Sequence, residues 1–304
     1  MRERDGFILQ QMRRLLDNER YALIAVILLI LIPYTSWIGM TILSLVTLRK
    51  GIKQASLLVI PAITAHTLIA LTSTVWTVAC IDALIQVVPC FLASCVLRAT
   101  NSWKAVASFF FCLLMITAMV IHLTVPKLID AQWMYLESTL RNLDSGATLL
   151  QAWQTHSVST TVAANYLFGV QGLCLIFALV TPIWFARSLQ AQLFYPGGFR
   201  QEILNFRGDK YGLMVFLVLS VAAYSGHTLA MNGLPMVIMY FVLAGLSFGS
   251  FVFSKMKPFK AMLLLTLPVV LMPMVMIPAY VLIGCLDSLV NCRLLLATRA
   301  GKTM

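Results

Sequence analysis

Long apolar runs separated by short polar clusters set the rhythm of this chain. Eight stretches stand out, at about 21–48, 54–73, 75–97, 103–123, 163–185, 211–229, 234–253 and 261–285. They are continuous rather than alternating, and most reach or exceed the roughly 18 apolar residues that suggest a bilayer-crossing helix. A closed β-barrel, the other architecture that satisfies its backbone in lipid, would show alternating segments of about ten residues. The pattern therefore predicts an all-α, polytopic transmembrane bundle of about eight apolar segments. The first and last are expected to be broken or re-entrant, since Pro33 lies near the middle of one and Pro268, Pro273 and Pro278 interrupt the other.

The polar stretches complete the layout. Residues 1–20 mix both signs of charge, while Phe7, Ile8, Met12, Leu15 and Leu16 fall near one helical face. No small-residue cleavage site follows the first run, so this reads as a retained amphipathic cytoplasmic segment able to lie on the membrane surface. Residues 124–162 carry Asp130, Glu137 and Asp144, with Trp133, Leu136, Leu140 and Leu143 at helical spacing. That is either an amphipathic helix on the outer face or a solvated loop with a helical turn. Residues 21–296 read as one transmembrane helical domain and 297–304 as a cytoplasmic tail.

Composition narrows the class. Of the 304 residues, 60% are hydrophobic and only 11% charged, with a mean hydropathy of +0.89. A soluble enzyme, a disordered chain, a secreted disulfide scaffold and a coiled coil are all excluded. The net charge of +11 would suggest nucleic acid in a soluble protein, but here the basic residues sit in clusters between apolar runs, and no nucleic-acid partner is expected. If every run crossed once with the N-terminus inside, Arg49, Lys50, Lys53, Arg98, Lys104, Arg187, Arg200, Arg207 and Lys210 would all lie outside. If the first and last runs turn back instead, twenty of the 22 Lys and Arg fall inside, leaving only Lys127 and Arg141 outside. The positive-inside rule favours the second arrangement, with both termini cytoplasmic. The seven cysteines form no CxxC and no zinc-type spacing, so they read as reduced, buried small hydrophobes, and neither metal nor cofactor is expected.

Three short motifs sit at the expected inner face: Leu48-Arg49-Lys50-Gly51, Tyr195-Pro196-Gly197-Gly198-Phe199-Arg200-Gln201-Glu202, and Gly284-Cys285-Leu286-Asp287 followed by Arg293. In this order and spacing they resemble the YybS-like family of bacterial polytopic membrane proteins, over most of the chain. The family more often carries an aromatic residue and an acid between that aspartate and arginine, where this chain has Leu289 and Asn291. The resemblance implies a location in the bacterial cytoplasmic (inner) membrane. It also implies a distant likeness to the solute-binding S-components of energy-coupling-factor transporters, which work with a transmembrane coupling subunit and its ATPases.

The candidate chemistry is sparse. Asp82 is an acid inside a long run, Gln86 follows one turn later on the same face, and such groups usually face a bundle interior or a wet cavity. With His66 and His227 they are candidates to line a ligand cavity, which His122 could join; alternatively Asp82 lies near the outer interface, and each of the three histidines is an interhelical hydrogen bonder. Arg49, Lys50, Pro196, Gly197, Gly198, Phe199 and Arg200 are candidates for docking a partner, or form a structural turn with positive-inside cations. Gly245 and Gly249 form a GxxxG helix-packing surface that also reads as GxSxG around Ser247. Gly301-Lys302-Thr303 is not a phosphate-binding loop, because position 296 is leucine. Transport against a gradient would then draw energy from a partner or an ion. The reading favoured is a non-enzymatic solute-binding transport component. The alternative is a ligand-free membrane scaffold or assembly protein, and a more distant one is an intramembrane hydrolase using Ser247 and His227.

Overall fold

A computed structural model describes residues 7–32, 34–142, 159–254 and 256–301. Their regular structure is entirely helical: α1 (Phe7–Asp17), α2 (Glu19–Leu31), α3 (Ser36–Lys50), α4 (Ile52–Ala70), α5 (Trp76–Thr100), α6 (Trp103–Thr124), α7 (Lys127–Arg141), α8 (Thr160–Phe194), α9 (Gly198–Asn205), α10 (Lys210–Tyr224), α11 (Thr228–Val252), α12 (Pro258–Leu271), α13 (Pro273–Val290) and α14 (Cys292–Gly301). Pro33, Leu143, Asp144, Lys302 and Thr303, each singled out in the sequence, lie outside the described residues.

Among the described residues, six helices are long and apolar enough to cross a membrane, namely α4, α5, α6, α8, α11 and α13. Of the eight runs, the first and the sixth supply no such helix, and the last breaks in two but still supplies α13. The first run breaks between Leu31 and Ser36, with Tyr34 at φ 66°. Its halves, of 13 and 15 residues, rise only about 20 Å and 22 Å against roughly 30 Å of hydrocarbon. The last run breaks at Met272, where Pro273 opens α13; the missing N–H costs nothing in a first turn. The sixth run yields only the 15 residues of α10. Helix ends follow side-chain chemistry: Asn18 accepts from the backbone of Arg20 and Tyr21 to start α2, and Asp209 accepts from Gly212 to start α10. Asn101 and Asn291 close α5 and α13 in the left-handed region that asparagine tolerates.

The chain forms two compact units, one of residues 1–109 with 175–203 and one of residues 110–174 with 204–304. The first is centred on α3, whose residues 39–48 are all buried, as expected of a helix apolar on every side. It is packed by α2, α4 and α5. Gly39 meets Ile30 and the Val26 carbonyl, which brings α2 close to α3. In the N-terminal helix Leu15 and Leu16 are buried, and α1 packs on α2 and α3.

The second unit is built on α11 and α13. Gly245 faces the Tyr280 carbonyl and Gly284 faces the Phe241 carbonyl, so the two backbones touch and neither position has room for a Cβ. Gly249 packs on the Leu265 side chain of α12. Around this seam Val237, Phe241, Val242, Leu265, Tyr280 and Val281 form the core. Helix α7 buries Ile129 and Trp133 against Ala163 and Ala164 of α8, while Glu137, one turn after Trp133, pairs with Arg141 at 2.6 Å. The expected amphipathic stretch is thus a packed helix over 127–141.

Candidate functional site

Within the first unit, α4 and α5 run back to back, joined by the exposed turn at residues 71–75. His66 lies one turn before the end of α4, and Asp82 about two turns into α5. The hairpin brings them face to face: His66 Nε2 stands 3.3 Å from Asp82 Oδ2, while Gln86 Nε2 donates to Asp82 Oδ1 at 3.1 Å. Gln86 reaches Asp82 because residues four apart share a helix face. His66 is 6% exposed, whereas the Asp82 side chain is 46% exposed. A buried imidazole therefore orients an open carboxylate. The other ring nitrogen, Nδ1, is buried and has no hydrogen-bond partner among the described residues. Asp82 lies about 9 Å along α5 from its start, midway between that end and the helix centre.

The other candidate cavity residue, His227, belongs to the second unit. It is the exposed residue that precedes α11 and shares no hydrogen bond with the other three. The second unit has its own polar pair, in which Asn232 Nδ2 lies 2.8 Å from His122 Nε2, with Asn232 fully buried. Ser247 is buried and accepts from Arg293 Nη2 at 3.2 Å. It sits twenty positions after His227 along one continuous helix, a separation of about 30 Å. The two cannot act as nucleophile and base, which corrects the hydrolase reading of GxSxG.

The docking candidates are mostly engaged within their own unit. Arg49 stacks over the Phe194 ring at 4.0 Å, and Lys50 lies 3.6 Å from Glu19. Phe199 packs edge-on against Trp184 at 5.1 Å. Pro196 and Gly197 form the exposed tip of a tight turn closed by Gly198 N–H to the Tyr195 carbonyl at 2.9 Å. Gly197 has φ 87°, the value that position requires. Arg200 is exposed on α9.

Two polar clamps were not legible in the sequence. In the first unit, Glu202 takes a bidentate pair from Arg187, including Nη2 to Oε1 at 2.5 Å, and a bond from Trp103 Nε1 at 3.1 Å. Nearby, Arg98 Nη1 donates to the Thr47 and Leu48 carbonyls at 3.0 Å, covering the C-terminal end of α3. In the second unit, fully buried Asp287 pairs with Arg293 Nε at 3.1 Å. Arg293 also reaches the Leu204 and Phe206 carbonyls, and Arg207 Nε donates to the Asp287 carbonyl at 2.7 Å. Burial pushes the Arg293 guanidinium down, Asp287 opposes that shift, and Arg207 adds to it. These partners lie up to 99 positions apart, and the only sequence signal was the presence of Glu202, Asp287 and Arg293 in the quoted motifs.

No family model, curated protein or solved structure matches the chain.

Proposed function

We propose that the chain is a bacterial inner-membrane protein of the YybS-like kind, with both termini cytoplasmic, that binds a small polar solute or cation as a transport component without enzymatic activity. The observation that carries this reading is the His66–Asp82–Gln86 arrangement. A half-exposed carboxylate inside a membrane-crossing helix is costly unless something polar meets it. Here one oxygen is held by a buried imidazole and the other by an amide, which fixes the group and leaves it open on one side. Cationic or hydrogen-bond-donating ligands are the chemistry it suits. Under the charge-derived topology the α4–α5 turn faces outward, as uptake requires. A transmembrane coupling subunit with ATPases would then supply the energy.

The test is a thermal-shift screen of amines, amino acids, vitamins and monovalent and divalent cations on the purified full chain. A compound that stabilises the wild type and leaves Asp82→Asn unmoved supports the reading. A compound that stabilises both equally, or no response from the wild type, contradicts it. The scaffold alternative draws on a separate observation: two polar clamps hold the segments carrying the basic motifs in fixed positions. Mild-detergent purification with mass spectrometry separates the readings, since a transporter component brings coupling subunits and a scaffold brings envelope proteins.

A further inference from the structure

A second feature of the first unit lies at the other end of α4 from His66. The N-terminus of α2, the C-terminus of α3 and the N-terminus of α4 enclose an open groove of about 410 Å³. Its walls are apolar: Ala22, Leu23 and Ile24 from α2, Val46 from α3, and Leu57 and Leu58 from α4. Its mouth is polar, formed by Glu19, Arg20, Lys50 and Gln54.

The order of these residues matters. On each of the three helices the charged or amide residue stands at the terminus and the apolar residues stand about one turn inward. The groove therefore has a polar end and an oily end along the helix axes, the arrangement of a phospholipid in its leaflet. Charge sharpens the match. Arg20 and Lys50 against Glu19 leave one net positive charge at the mouth, and exposed Lys53 stands one turn before Leu57 on the same face of α4. The Lys50–Glu19 contact is loose, at 3.6 Å, with Glu19 56% exposed, so it holds Lys50 only weakly. A phosphodiester offers a stronger, charge-assisted partner.

We infer that this groove is a binding site for one anionic glycerophospholipid, its phosphate held by Arg20 and Lys50 and an acyl chain lying along Leu23, Ile24, Val46 and Leu57. The inference rests on the membrane reading of the helices and is independent of the solute site at Asp82. The test is native mass spectrometry of the delipidated full chain incubated with phosphatidylglycerol or phosphatidylcholine of matched chains. The wild type is expected to retain a single phosphatidylglycerol about tenfold better than phosphatidylcholine. Arg20→Gln with Lys50→Gln lowers phosphatidylglycerol retention to the phosphatidylcholine level, while Leu57→Trp, which fills the groove at an already exposed position, lowers retention of both. Asp82→Asn retains phosphatidylglycerol like the wild type, so loss of the solute reading leaves this result standing. Equal retention of the two lipids by the wild type overturns the inference, as does undiminished phosphatidylglycerol binding by the double variant. If the double variant fails to fold, Leu57→Trp decides alone, and unchanged retention there overturns the site.

Discussion

Asp82 and Asp287 are both acids within apolar helices, yet their surroundings set them apart. Asp82 is half exposed and bound by an imidazole and an amide, whereas Asp287 has no exposure and meets a guanidinium. An open carboxylate has capacity left for a ligand; a closed ion pair is committed to holding the chain together. Removing one member of such a pair strands the other. Asp287→Ala should therefore destabilise the protein by about 3–5 kcal/mol, and combining it with Arg293→Met should recover most of that loss. Denaturation in detergent followed by circular dichroism measures both; a single variant as stable as the wild type would show that the pair bears no load. From sequence alone Asp82, Gln86 and His66 were identifiable as polar residues in apolar runs. Their pairing was not, because it depends on the register of the α4–α5 hairpin. The Asp287 clamp was even less accessible, since it uses backbone carbonyls, which carry no residue signature.

At the scale of elements, hydrophobic runs translate into helices faithfully except where a proline or a left-handed residue intervenes. Pro273 and Tyr34 each mark a place where one apolar run became two helices. The length of each half was not legible, because an apolar run does not show where its backbone bonds change partners. The GxxxG pattern was legible as a close-packing surface, but its partner was not: Gly245 meets α13 through Tyr280, and Gly284 completes the seam from the other side. A side chain at either position must push one backbone off the other. Gly245→Val and Gly284→Val should each cost about 1–3 kcal/mol, and the double variant should cost less than their sum because both relieve against the same seam. Thermal unfolding of the three variants in detergent reads this out. Strict additivity would contradict a shared interface.

For the whole molecule, composition alone sufficed for the class, because no soluble core can absorb 60% hydrophobic residues in 304 with 11% charged. The six long apolar helices agree with it. The division into two compact units left no mark in the sequence, since the same kind of apolar run serves both and no linker separates them. Topology is read from charge, and the structure adds a reason why the basic residues matter beyond insertion: Arg98, Arg207 and Arg293 donate to carbonyls at helix ends and in the loop after α9, and Arg187 holds Glu202 of α9.

The most direct measurement is cysteine labelling in intact cells, in a background with all seven native cysteines replaced. Ser73→Cys lies in the exposed turn beside the Asp82 site, and Gln201→Cys is exposed on α9. A membrane-impermeant maleimide is expected to label position 73 from outside and position 201 only after the membrane is opened. Labelling of position 201 in intact cells, with position 73 protected until permeabilisation, would contradict the topology and remove the outward-facing solute site with it.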